Sequence, residues 1–271
     1  MRKLYFILIF IFCTEHIFAQ FEFATMSGRG KAMGGVSVNL SDFWSGISNT
    51  AGLTENKSFT FGMAAQNQFL LGELSTGAVA AVFPVEKING AFGINHFYTG
   101  TSTYNEQKTG LAYAHRFGEN LSVGLQFDYL FSTSNYAYYD REHFITFDAG
   151  IQYKLNSSLE AGFAIFNPLP IKRVDREDIP SIVKLGILYR ITEQLITIVE
   201  LEKNLLEKQS LRIGGEYEFV NSMYARLGIS TNPTIYSFGY GLKISQFNLD
   251  IAAQVHSILG FAPSISIYYT F

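Results

Sequence analysis

The stretch LSVGLQFDYLF, residues 121–131, decides the fold. Its odd positions carry Leu121, Val123, Leu125, Phe127, Tyr129 and Phe131, and its even positions carry Ser122, Gly124, Gln126 and Asp128 before Leu130. An apolar face alternating with a polar one at period two is the mark of a β-strand. The pattern returns at 145–155, with Ile145, Phe147, Ala149, Ile151, Tyr153 and Leu155 on one side and Thr146, Asp148, Gly150, Gln152 and Lys154 on the other. It returns again at 236–244, where Tyr236, Phe238, Tyr240, Leu242 and Ile244 oppose Ser237, Gly239, Gly241 and Lys243. Strands of about 9–11 residues are what a tilted membrane-crossing strand needs.

Tight turns repeat with the strands. At 116–121, 154–159, 190–195, 218–223 and 243–247 the chain runs charge, apolar residue, short and mostly polar turn, apolar residue. Residues 86–90 form a looser sixth copy. A recurring hairpin unit of this kind sets the architecture before any single motif does. Counting between turns predicts an all-β, antiparallel transmembrane barrel of about fourteen strands, starting near 58, 74, 90, 107, 121, 143, 158, 180, 195, 209, 222, 235, 247 and 263. The opposite ends carry longer segments at 99–107, 132–142 and 167–179, expected as loops. Short turns on one side and longer loops on the other are the asymmetry of outer-membrane barrels. All six prolines fall at strand ends or in loops, where a missing N–H is tolerated.

Composition fits. Only 16% of the 271 residues are charged, against about 25% in soluble domains. Net charge is −3, so there is no basic excess for nucleic acid. Residues 1–19 read as a secretory signal peptide: Arg2 and Lys3, a nine-residue apolar run from Leu4 to Phe12, and a small residue at Ala19. Nine apolar residues are too few to span a bilayer, which takes about 20. Phe12 before Cys13 is not a lipoprotein signal. Cys13 is the chain's one cysteine and leaves with the signal, so thiol and zinc-thiolate chemistry are excluded. Removing Arg2, Lys3 and Glu15 leaves 18 basic and 22 acidic residues. Without a further apolar helix, a membrane-spanning chain must close as a barrel, since only helices and barrels satisfy the backbone in lipid.

The last strand carries Ile265, Ile267, Tyr269 and Phe271 on one face, a pattern resembling the C-terminal signal read by the barrel assembly machinery. A secreted β-sandwich alternates too, but it gives no reason for Tyr153, Tyr189, Tyr217, Phe219 and Tyr269 to gather beside the turns as an interfacial girdle does.

Residues 20–56 break the period. Gly28, Gly30, Gly34 and Gly35 punctuate them, and 41–50 reads as a short helix capped by Ser41 or Asp42. The run SGRGKAMGG lacks the closing Gly-Lys-Ser/Thr of a phosphate loop, and Met33 breaks a dinucleotide fingerprint. Residues 28–53 resemble the opening of the PorV/PorQ family of FadL-like outer-membrane barrels. The resemblance rests on Ala32-Met33-Gly34-Gly35, on Asp42, and on Asn49-Thr50-Ala51-Gly52-Leu53, where Thr50 replaces the family's proline. It continues in Lys184-Leu185-Gly186, Gly214-Gly215-Glu216-Tyr217 and Leu227-Gly228.

The resemblance implies that 20–56 folds inside the 57–271 barrel as a plug, with Gly34, Gly35, Asp42, Asn49 and Gly52 as its motif residues. Glycines support this reading. Gly124, Gly150, Gly162, Gly186, Gly214, Gly228 and Gly241 all fall on the inward face, and strand glycine often marks the close approach of another backbone.

The same face carries Lys184, Arg190, Glu200, Glu202, Arg212, Glu216, Arg226, Lys243 and Asp250. Mixed signs predict an ion-paired filling network rather than a charge-selective path. Leu130, Phe166, Leu188, Ile196, Ile198 and Tyr268 are expected to line one apolar pocket. No Gly-x-Ser-x-Gly elbow or metal-spaced histidine pair is present, so neither an enzyme nor a cofactor is expected.

Two functions stay open. The resemblance implies a binding or assembly role at the cell surface linked to type IX secretion, with secretion components as partners. The alternative is a FadL-like conduit for small hydrophobic compounds. Outer-membrane lipid and the assembly machinery are expected partners of either.

Overall fold

The computed structural model describes residues 25–135, 141–173 and 178–271. The signal-peptide expectation falls on residues 1–19 and lies outside them.

Among the described residues fourteen antiparallel strands form one closed barrel, each paired with its chain neighbours and the first with the last. They are β1 (Thr60–Asn67), β2 (Ser75–Val85), β3 (Gly90–Gly100), β4 (Tyr104–Phe117), β5 (Leu121–Ser134), β6 (Glu142–Lys154) and β7 (Leu159–Phe166). The wall continues with β8 (Ile182–Arg190), β9 (Leu195–Asn204), β10 (Ser210–Val220), β11 (Met223–Ser230), β12 (Ile235–Ile244), β13 (Phe247–His256) and β14 (Gly260–Thr270). The seam is made by β1 and β14, in register from Thr60↔Thr270 to Gln66↔Ser264.

Period two sorts the side chains as the sequence predicts. Leu125, Phe127, Ile145, Ile187 and Leu227 stand exposed on the outer surface, while Gln126, Asp128, Glu200 and Ser266 are fully buried. Apolar residues outside and polar ones inside is the arrangement of a barrel whose outer solvent is hydrocarbon. It is the reverse of a sandwich. No described helix is long and apolar enough to cross a membrane.

One expected loop, 99–107, is largely strand, and the described ends of a second, 132–142, continue β5 and β6. Segment 99–107 is a tight hairpin, with β3 running to Gly100 and β4 starting at Tyr104, and β5 extends through Ser134. Both read as loops because their outward residues turn polar. Asn105 and Glu106 are nevertheless buried, so the wall rises beyond its apolar belt. By contrast, 167–173 and 178–181 leave the strands of the wall, and Ile171 and Ile179 pair with each other, Ile179 being buried.

Residues 25–56 lie within the barrel. They hold two short helices, α1 (Gly28–Ala32) and α2 (Ser45–Ser48), and a 3-10 turn at Thr50–Glu55. Ser27 caps α1 through its side chain. The helix expected over 41–50 shrinks to α2, capped by Trp44 without a side-chain bond. Asp42 acts one step earlier, its Oδ1 accepting from Trp44 N at 2.9 Å.

Candidate binding chamber in the barrel lumen

The inward glycines seat the N-terminal segment in pairs. Gly124 on β5 faces Gly150 on β6, Gly162 on β7 faces Gly186 on β8, and Gly214 on β10 faces Gly228 on β11. A Cβ on Gly124 would lie 2.5 Å from Thr50 C and Ala51 N, and one on Gly162 would lie 2.8 Å from Val38 O. One on Gly214 would lie 2.5 Å from Met33 O. Three glycine pairs therefore hold three points of the segment, at 49–51, 38–39 and 33–34. Gly241 differs: it makes room for the Arg226 guanidinium. Gly62, Gly93 and Gly239 also approach the segment, at Phe43, Leu53 and Ala32.

The motif residues do the fastening. Gly34 and Gly35 take φ values of +78° and +82°, a left-handed bend that reverses the chain after α1. Asn49 donates through Nδ2 to Val38 O at 2.7 Å and is within 3.2 Å of Ile151 O and Phe163 O, while its Oδ1 accepts from Ala51 N. One amide thus links the segment to itself and to two barrel strands. Gly52 lets the 3-10 turn pack on Ser45, where a Cβ would come within 2.7 Å.

Charges extend the fastening across the lumen. Arg29 on α1 donates to both oxygens of Glu216, at 2.6 and 2.8 Å, and approaches Asp42 at 3.3 Å. Arg226 bridges Glu216 and Asp250, each at 2.6 Å. Glu200 Oε2 accepts from the amides of Ser37 and Val38 at 2.7 Å. Arg212 pairs with Glu202, and Lys184 lies 3.3 Å from Glu202. Seven of the predicted lumen charges thus enter one network with the plug. Arg190 and Lys243 do not. Arg190 sits at the short-turn mouth, 3.8 Å from Glu160, and Lys243 is exposed there, because each occupies the last inward position before its turn. At the same mouth Glu55 binds Arg116 and Lys154, both at 2.6 Å. Burial raises its pKa, but the two cations outweigh burial and hold it below the usual carboxylate range.

The six apolar residues expected to share a pocket divide between two clusters. Leu130, Phe166 and Tyr268 join Phe43, Trp44, Ile47 and Leu53 of the plug and inward alanines of β1 to β4. Leu188, Ile196 and Ile198 pack on Met33, Val36 and Leu40. The plug runs between them, so one pocket became two filled interfaces.

A cavity of about 40 Å³ remains beside the first cluster, lined by Ile47, Ala164, Phe166 and Ile182 with Lys108, Asp148 and Lys184. It is smaller than the roughly 150 Å³ apolar cavity that admits benzene, so this is a closed state. Ile171 and Ile179, from the segment between β7 and β8, pack on the first cluster. Asn167 Nδ2 donates to Ile179 O and Pro180 O at 3.1 and 3.2 Å, and Arg173 Nε donates to Glu142 at 3.1 Å.

Lys108 was missed in the sequence although it falls within the strand expected from 107, because its two carboxylate partners come from other strands. It is buried, 3.2 Å from both Asp128 and Asp148, with its ammonium 4.7 Å from the Phe166 ring centre. Parity with inward Gly110 was the available signal.

No family model matches the chain, and no curated protein matches it in sequence. Solved structures do. The Ralstonia pickettii toluene transporter TbuX superposes with a TM-score of 0.74 at 12% identity, over 93% of this chain and 100% of that one. The Pseudomonas putida toluene transporter TodX gives 0.70 at 12%, over 92% and 99%. A Pseudomonas aeruginosa FadL homologue gives 0.66 at 12%, over 92% and 98%. The fold is that of the FadL-type barrels. Such identity shows shared architecture, and the FadL-type fold is matched over nearly the whole chain.

Proposed function

We propose that this protein is an outer-membrane conduit for small hydrophobic compounds. The observation that carries the reading is the chamber between α2, β6, β7 and β8: a void walled by Ile47, Ala164, Phe166 and Ile182 inside a plugged barrel. With the chamber widened beyond its about 40 Å³, an apolar molecule leaving water gains about 25 cal/mol per Å² of surface buried there. The structural neighbours include toluene transporters, which favours the same class of cargo. In this reading the outer apolar surface sits in outer-membrane lipid, and Phe271 completes the row read by the barrel assembly machinery. The surface-assembly role in type IX secretion draws no support from the described loop residues, which are few and, at Arg173 and Ile179, buried.

The test is uptake. Cells lacking their own route for toluene should take it up faster when they make this protein, and a bulky Ala164→Phe variant that fills the chamber should lose most of the gain. Equal uptake with and without the protein, at normal outer-membrane levels, would refute the conduit.

A further inference from the structure

Two cavities lie along one strand pair. The inward residues of β7 and β8 meet in four successive pairs: Glu160↔Leu188, Gly162↔Gly186, Ala164↔Lys184 and Phe166↔Ile182. The last two pairs line the chamber. The first lines a second, wider cavity of about 370 Å³ at the short-turn mouth, where Glu193 and Gln194 of the β8–β9 turn form part of its edge. The glycine pair between them lines neither cavity. A strand rises about 3.3 Å per residue, so Glu160 and Ala164 stand about 13 Å apart along β7. One glycine step therefore separates the two spaces.

Val38 and Asn39 of the plug fill that step. A Cβ on Gly186 would lie 2.5 Å from Asn39 Oδ1 and closer still to Val38 Cγ1. Leu40 and Ser41, next in the chain, line the mouth cavity, while Asn49, whose amide holds Val38 O, lines the chamber. The partition is thus one stretch of plug backbone. Among the described residues, Val38 and Asn39 make no backbone–backbone hydrogen bond. Side chains hold them instead. Val38 O accepts from Asn49 Nδ2 at 2.7 Å and from Gln152 Nε2 at 3.0 Å, and Val38 N donates to Glu200 Oε2 at 2.7 Å. Asn39 Nδ2 donates to Glu160 O at 3.1 Å. Changes of side-chain rotamer can release such a segment without breaking a strand ladder. The two spaces also differ in character. The chamber offers apolar walls, whereas the mouth presents Glu160, Arg190, Glu193 and Glu218, so an apolar molecule is held in the first and let go in the second.

We propose that cargo leaves the chamber along β7 and β8 into the mouth cavity, and that Val38–Asn39 is the gate on this path. The proposal rests on the conduit reading and gives it a route. Opening needs only this segment to lift from the Gly162–Gly186 seat, while α1 and α2 keep their places. The cavity beyond opens at the short-turn side, which in outer-membrane barrels faces the periplasm.

The test uses the full-length protein in cells lacking their own route for toluene. Cys13, the chain's one cysteine, falls within the expected signal segment, so an added thiol is the sole target for a maleimide. Glu160→Cys places that thiol in the mouth cavity, and reaction with a bulky maleimide should remove most of the toluene uptake that the protein confers. Glu119→Cys, exposed on the β4–β5 turn at the same mouth but outside the cavity, should be labelled without loss. Gly186→Ala, whose Cβ pushes the partition off the wall, should raise uptake several-fold, and adding labelled Glu160→Cys should abolish that rise. Either variant decides alone if the other fails to insert. Unchanged uptake with Glu160→Cys fully labelled means that cargo leaves elsewhere, and it overturns the gate while the conduit stands. Gly186→Ala uptake at or below that of the unaltered protein, at equal outer-membrane levels, overturns the gate as well. No uptake above background by the unaltered protein overturns both.

Discussion

Replacing Gly124 by alanine tests whether the plug is held by the glycine seats. The new Cβ would lie 2.5 Å from Thr50 C and from Ala51 N, both backbone atoms that no rotamer change can move. Ordinary contact starts at 3.4 Å, so the 3-10 turn must retreat by about 0.9 Å, the difference between those distances. That retreat strains the Asn49 bonds to Val38 O, Ile151 O and Phe163 O, which anchor the same turn. Overpacking of this size costs about 1–3 kcal/mol. The cost falls on the plug, since Gly124 keeps its pairing with Gly150 in the wall. Hydrogen exchange should show protection of the 50–55 amides falling by roughly 5- to 150-fold, while β5 and β6 stay protected. Planar bilayers should show brief openings absent from the parent. Gly77→Ala is the control, because nothing lies within 4 Å of its added Cβ. If Gly124→Ala matches the parent in both exchange and conductance, the seats do not hold the plug.

Other outcomes follow from the same geometry. Deleting residues 21–50 with the signal kept should leave an inserted barrel with a large, stable conductance, because the lumen of fourteen strands exceeds what side chains fill; a closed deletion variant would overturn this. Leu125→Arg or Ile151→Arg puts a charge on the exposed apolar face at a cost of about 2–4 kcal/mol, and outer-membrane levels should fall on immunoblots. Removing Phe271, whose amide donates to Phe59 O at 2.9 Å beside the seam, should lower those levels as well. Glu55 has a folded pKa below its unfolded one, so its contribution is full above the ordinary carboxylate pKa and is lost as pH falls through the lowered value. Protection of the 52–56 amides should therefore drop on acidification in the parent and stay flatter in Glu55→Gln.

Much of the wall was legible because period two reports which way each residue faces. That sufficed for the strand count, the outer apolar belt and the inward side of the seven glycines. It does not report register, which depends on the partner strand. Hence the glycines could be assigned to one face but not matched as Gly124–Gly150, Gly162–Gly186 and Gly214–Gly228. Lys108, Asp128 and Asp148 come from three strands, and only pairing brings them together. The Arg29–Glu216 contact joins residues 187 positions apart, beyond any local pattern. The 99–107 hairpin was obscured for a different reason: above the apolar belt both faces turn polar, and the alternation that identifies a strand disappears.

The seam has a consequence for how such a chain reaches its final form. Thr60 and Thr270 bond across a separation of 210 residues, and Gly28 reaches Ser266 across 238. Contacts of that span come late, since a long loop must close before they return anything. The segment that precedes the whole wall in the chain is thus the one enclosed last, and the sheet has to curl around a guest already tethered to its own leading edge. Until β14 meets β1, both edges stand open with a row of unpaired amides and carbonyls, the most sticky surface a sheet can show. Closure removes that hazard and entombs the guest in one event, so an error in seating the plug is also an error in finishing the wall.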